Sequence, residues 1–152
     1  WKDDNVMALN NYAYYLSEKG VDLHKAEAMS YKTIKAEPNN GTYLDTYAWI
    51  LFMEERYADA KTYIDQALKN RDSTADNSTV LEHAGDIYYM NGMADESVDF
   101  WKKAYTGENQ TEVLAWKIKN RQYITEEELK KRNAPKQKPA ATKKSVRKGK
   151  KK

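Results

Sequence analysis

The sequence contains no cysteine. That excludes a disulfide, a thiolate nucleophile and a cysteine-ligated zinc site. Proline and glycine are scarce, at three and six in 152 residues. With so few breakers and a predominance of good helix formers, the chain is expected to be mostly helical. No run of 18 apolar residues is present, which excludes a membrane-spanning helix. Histidine occurs only twice, at His24 and His83. Neither has a second histidine at metal-ligand spacing, and His24 with Glu27 reads as a surface pair one helical turn apart. No phosphate-binding Walker loop, G-x-S-x-G or H-E-x-x-H occurs. The polar stretch "DSTADNS" (72–78) has oxygen-bearing side chains but lacks the rest of a calcium loop. No catalytic, cofactor-binding or metal-ligating residues are therefore expected, and the chain reads as a non-enzyme.

What is present is charge, tyrosine and repetition. Charged residues make up 32% of the chain and hydrophobic ones 40%, with twelve tyrosines. The net charge of +3 hides an asymmetry. Residues 133–152 ("NAPKQKPAATKKSVRKGKKK") carry nine Lys or Arg and no acid, which leaves 17 basic against 23 acidic residues in 1–132, a net of −6. An acidic body thus precedes a basic tail.

Three segments align: "LNNYAYYL" (9–16), "LDTYAWIL" (44–51) and "LEHAGDIY" (81–88). In each, a large apolar residue is followed four positions later by a small one and three later by another large one. The small residues are Ala13, Ala48 and Gly85, spaced by 35 and 37. A second helical segment follows each, entered near Gly20, Glu55 and Gly92, with its own small residue at Ala26, Ala60 or Ser97. Two antiparallel helices approach closely only where a side chain is short. Each unit therefore reads as a helix–turn–helix that cannot bury its apolar face alone, and stacking three of them creates a continuous core.

This pattern resembles the tetratricopeptide repeat, W-x2-L-G-x2-Y then A-x3-F then A and P. The third unit matches through Leu81, Gly85, Tyr88, Gly92 and Trp101, with Ala104 near its end. The second matches through Leu44, Ala48, Leu51, Tyr57, Ala60, Ile64 and Ala67, and the first through Leu9, Ala13, Leu16, Gly20, Ala26 and Pro38. Leu replaces the leading Trp throughout, and Ser97 replaces an Ala. The phrasing looks like that of bacterial repeat proteins. The resemblance implies an all-α, right-handed superhelical solenoid across 1–123, with repeats at about 5–40, 41–78 and 79–110 and a capping helix at 111–123. A short helix at 124–132 and a disordered basic tail at 133–152 complete the chain. "WKDDN" at the start reads as the end of an inter-repeat loop, so further repeats upstream are expected. Thr79 with Glu82 and Thr125 with Glu128 read as capping boxes, Asp4 or Asn5 as a cap of the first helix and Asp22 of the second.

In such repeats the first helix of each pair lines a concave groove that holds an extended peptide or partner helix. Carried over by alignment, the groove candidates are Asn10 and Tyr14 (with Ser17), Asp45, Trp49 and Phe52, and Glu82, Asp86 and Tyr89. Leu44, Ala48 and Leu51 take the packing face, and Trp49 and Phe52 fall off that stripe. Aromatic anchors supply contact area, and the acids favour a neutral or basic protein or peptide. Asp45 and Glu82 oppose capture of a C-terminal carboxylate, so acidic C-terminal peptides are expected not to bind. The expected function is a non-catalytic protein–protein interaction scaffold. The alternative is a nucleic-acid or anionic-surface binder acting through tail residues such as Lys143, Lys144, Arg147 and Lys148. The tail lacks aromatics to stack on bases.

Overall fold

A computed structural model describes residues 3–135 and places eight α-helices there. They are α1 (Asp3–Lys19), α2 (Leu23–Ala36), α3 (Gly41–Met53), α4 (Tyr57–Lys69), α5 (Ser78–Met90), α6 (Ala94–Ala104), α7 (Glu112–Asn120) and α8 (Glu126–Asn133). A short 3-10 turn, Gly107–Asn109, precedes α7. The tail candidates Lys143, Lys144, Arg147 and Lys148 lie outside the described residues. No helix among those described is long and apolar enough to cross a membrane.

Consecutive helices pack against each other from α1 through α7, and α3 also touches α1 and α5. The first helices of the three pairs therefore lie side by side, and the second helices back them. The close-contact positions behave as their size demands: Ala13, Ala48, Ala26, Ala60 and Ser97 are fully buried. Gly85 makes the close contact of the third pair. A Cβ built there would lie 2.3 Å from Cδ1 of Trp101 on α6, so only glycine lets α5 and α6 cross at this point.

The turn inside each pair has one design. Gly20, Glu55 and Gly92 all take positive φ, at 70°, 65° and 79°. The amide after each returns to a carbonyl five residues back: Val21 to Leu16, Arg56 to Leu51 and Met93 to Tyr88, at 2.9–3.2 Å. The turn residue's own amide bonds a carbonyl three back, on Ser17, Phe52 or Tyr89. Both bonds together make the Schellman C-cap, which satisfies the last carbonyls of the helix and redirects the chain antiparallel.

The middle helix α3 is apolar on nearly all sides because it has neighbours on nearly all sides. Nine of its thirteen residues are buried, among them Leu44, Trp49, Ile50, Leu51 and Phe52. Beyond the third pair, Leu114 of α7 is fully buried among Val98, Trp101 and Ala104.

Several helix ends differ from expectation. The capping box of Thr125 and Glu128 is formed in both directions. That of Thr79 and Glu82 is not: the N-cap of α5 falls two residues earlier, at Asn77, and Asp76 Oδ1 accepts the Ser78 amide at 3.0 Å. Asp22 stands at the N-cap of α2 but in a left-handed conformation that makes no side-chain cap. Asp4 and Asn5 lie inside α1 rather than before it. The seventh helix ends at Asn120 rather than at 123, because Arg121 turns left-handed at φ 54°.

Candidate functional site: the trough along the first helices

Two cavities run along the exposed side of α1, α3 and α5. The upper one, about 590 Å³, is walled by Asn10, Asn11, Tyr14 and Asp45 together with the loop after α4, from Asn70 to Asn77. The lower one, about 610 Å³, is walled by Tyr14, Trp49, Glu82, His83 and Asp86, and is closed at its far side by Lys117 and the 123–127 segment. Tyr14 and Thr79 line both, so the two cavities adjoin, and together they make a trough along these helices.

Six of the eight sequence candidates line this trough: Asn10, Tyr14, Asp45, Trp49, Glu82 and Asp86. Asn10, Trp49 and Asp86 do so as nearly buried wall, at 4%, 8% and 4% exposure. Phe52 and Tyr89 line neither cavity. Phe52 is buried between Trp49 (ring centroids 4.6 Å apart, stacked) and Tyr123 (5.6 Å, edge-on). Tyr89 is half-buried beside Trp101 at 6.0 Å. The aromatic floor is thus a pile of His83, Trp49 and Phe52, with His83 stacked 4.0 Å from Trp49. Among the described residues, Asn10 Oδ1 and Trp49 Nε1 are buried without a hydrogen-bond partner.

The acids of the wall are largely neutralised from within. His83 Nδ1 lies 2.8 Å from Asp45 Oδ1 across the α5–α3 contact. Burial alone would push the imidazole pKa down. Asp45, with Asp86 and Glu18 adding to it, outweighs burial and holds the pKa above its usual 6.5. Lys117, only 2% exposed, donates to Glu82 Oε2 at 2.9 Å and to Asp86 Oδ1 at 2.7 Å. Trp101 Nε1 donates to the same Asp86 oxygen at 2.9 Å. Burial works against the Lys117 charge, but its two carboxylates win and raise its pKa. Burial also raises the Asp86 pKa, and the ammonium offsets part of that.

Lys117, His83 and Tyr123 were not among the sequence candidates. Lys117 had a signal, standing three residues after Leu114 on the packing face of α7. Tyr123 had none, because it follows a left-handed residue that no helical count anticipates.

Among the described residues, His24, Glu27 and Glu54 bring ligand atoms within 4.8 Å of one another. The Arg56 guanidinium already occupies that cluster, 3.0 Å from Glu27 and 3.5 Å from Glu54, so a cation would have to displace it. In the 72–78 loop, the Asp72 carboxylate is taken by the Thr74 amide and hydroxyl.

Three helix pairs with the same small-residue contact and the same turn define an all-α helical-repeat fold, similar to that of tetratricopeptide-repeat domains. No protein-family model matches the chain. Over 66 residues, 43% of its length, it is 35% identical to a TPR repeat-containing protein of Pseudomonas aeruginosa, and it spans 11% of that relative. Among solved structures it is similar to the N-terminal domain of stress-induced protein-1 from C. elegans, with TM-score 0.58, 20% identity and coverage of 78% of this chain and 94% of that one. It is also similar to the TPR2AB domain of yeast Sti1 in complex with pHSP90, with TM-score 0.57, 23% identity and coverage of 97% and 55%. At these identities the two structures speak for the fold.

Proposed function

We propose that this chain is a non-catalytic scaffold that binds an extended peptide or a partner helix along the trough of α1, α3 and α5. The observation that carries the reading is that the two cavities adjoin, with Tyr14 and Thr79 lining both. A single cavity of this size suits a small molecule, whereas a trough crossing three parallel helices suits a chain. The yeast neighbour, described as a complex with pHSP90, supports a protein or peptide as the kind of ligand.

Tyr14 and the edge of Trp49 are the contact surface, and Asn10 and Asp45 are polar handles. Glu82 and Asp86 act chiefly by holding Lys117. Because the internal pairs cancel most of the wall's charge, the partner is neutral or modestly basic, and an acidic C-terminal peptide is disfavoured. The repeat units run at about 5–40, 41–78 and 79–110.

Thr79 offers a clean test, because it is exposed and lies at the junction of both cavities. Thr79→Trp fills the junction without touching the core. A protein captured by the wild-type chain should be lost by this variant at unchanged helicity. Retention of the same protein at equal yield would place binding elsewhere.

A further inference from the structure

We propose that the lysine-rich segment 136–152 docks back in cis on the rim of the lower cavity, where Glu18 of α1 meets Glu126 and Glu127 of α8, and competes there with any basic partner.

The charge left over in the cavity argues for this occupant. The deep carboxylates Glu82 and Asp86 are matched by Lys117, and Asp45 by His83. Glu18, Glu126 and Glu127 line the same cavity, are exposed, and form no ion pair among the described residues. The remaining cation of the lining, Lys19, sits over the exposed Tyr15 ring, 5.6 Å from its centroid. Three exposed acids without an ion pair among the described residues thus line this cavity, in a chain whose segment 136–152 holds nine Lys or Arg and no acid.

The tether argues for docking in cis. Helix α8 begins at this rim with Glu126 and ends at Asn133. Its eight residues rise only about 12 Å. The nineteen residues that follow can span roughly 63 Å when extended, so those beyond 143 can reach back to the rim. Covalent tethering over this length gives an effective concentration on the order of millimolar, which makes even weak ion pairing productive. Helix α8 also orients the approach. Its last turn carries Lys130, Lys131 and Arg132, which repel the tail, while its first turn carries Glu126, Glu127 and Glu128. The aromatic wall adds cation–π partners, as Lys117 already shows at 5.5 Å from the Tyr123 ring.

The absence of cysteine makes the test simple. Ser145→Cys in the full chain accepts a single nitroxide. The label should broaden the backbone amides of Glu18, Val113 and 123–127 at low salt. Broadening should vanish above about 0.5 M salt, where screening acts within a few ångströms. It should also vanish in Glu18→Gln/Glu126→Gln/Glu127→Gln and in Lys143→Gln/Lys144→Gln/Arg147→Gln/Lys148→Gln. The second variant leaves residues 3–135 untouched, so its result does not depend on folding of the first. An equal mixture of isotope-labelled chain without nitroxide and unlabelled chain with it should show no effect. Broadening in that mixture comparable to that of the tagged chain alone would mean a second copy, and would overturn docking in cis. So would a label that leaves the rim undisturbed while the chain binds a short DNA duplex with steep salt dependence, which would make the tail an anion-binding arm. The inference stands whether or not a partner enters the trough: the nitroxide tests the tail alone, and the Thr79→Trp capture tests the partner.

Discussion

His83 on α5 and Asp45 on α3 are joined at 2.8 Å, with the imidazole stacked on Trp49 beneath them. This contact ties the second repeat to the third, and its strength depends on the imidazole charge. The folded-state pKa of His83 is raised above 6.5. Its stabilisation is therefore complete below about pH 6.5 and is lost as pH rises through the higher folded value. Urea midpoints should fall as pH rises above about 6.5, and His83→Gln should remove most of that slope. An equal slope in the variant would assign the pH dependence to other groups.

Lys117 is the second electrostatic linchpin. Replacing it by Met leaves Glu82 and Asp86 without their cation, and breaking a buried pair from one side costs about 3 kcal/mol or more. Lys117→Met should lower stability by that order and speed amide exchange across α7. Adding Glu82→Gln and Asp86→Asn should recover most of the loss, because no buried charge then remains. Failure of the triple variant to recover would show that packing of the lysine stem, not charge, is what matters.

At Gly85 two effects oppose each other. Alanine is about 1 kcal/mol better than glycine inside a helix. Its Cβ, however, would meet the fully buried Trp101 ring at 2.3 Å and disturb the bond from Trp101 to Asp86. Overpacking of a tight core costs about 1–3 kcal/mol, and the lost hydrogen bond adds about 1. The clash wins, and Gly85→Ala should destabilise by about 2 kcal/mol in denaturant unfolding. Gly85→Ala in a Trp101→Leu background should cost much less.

Glu55 holds the left-handed turn position that Gly20 and Gly92 hold in the other repeats. A side chain there is strained by about 1–2 kcal/mol. Glu55→Gly should stabilise the domain by about 0.5–1 kcal/mol, since the folded-state relief exceeds the entropy glycine adds to the unfolded chain. A loss of stability would mean that the Glu55 side chain makes a contact worth more than its strain.

The repeat itself was legible because it rests on local rules. A small residue at 13, 48 and 85 and a turn residue at 20, 55 and 92 dictate a close crossing and a Schellman cap whatever lies elsewhere. The candidate site was only half legible. Asn10, Tyr14, Asp45 and Glu82 follow from counting along one helix. Phe52 does not, because Tyr123, 71 positions away, folds over it. Tyr89 fails for a similar reason: Trp101 of the next helix takes it out of the trough. The wall's charge was misjudged because its cations, His83 and Lys117, come from other helices. Alternation within one helix reports which face is apolar, but not which residues a later element will cover or neutralise.

The most direct test of the trough is chemical-shift mapping with a captured partner peptide on the isotope-labelled full chain. The account predicts shifts at Asn10, Asn11, Tyr14, Asp45 and Thr79, with little change on the outer faces of α2, α4 and α6. Tyr14→Ala should weaken the titration at least tenfold, the loss of about 1.4 kcal/mol that removal of one aromatic anchor brings. Shifts concentrated on α2, α4 and α6, with the trough silent and Tyr14→Ala without effect, would contradict it.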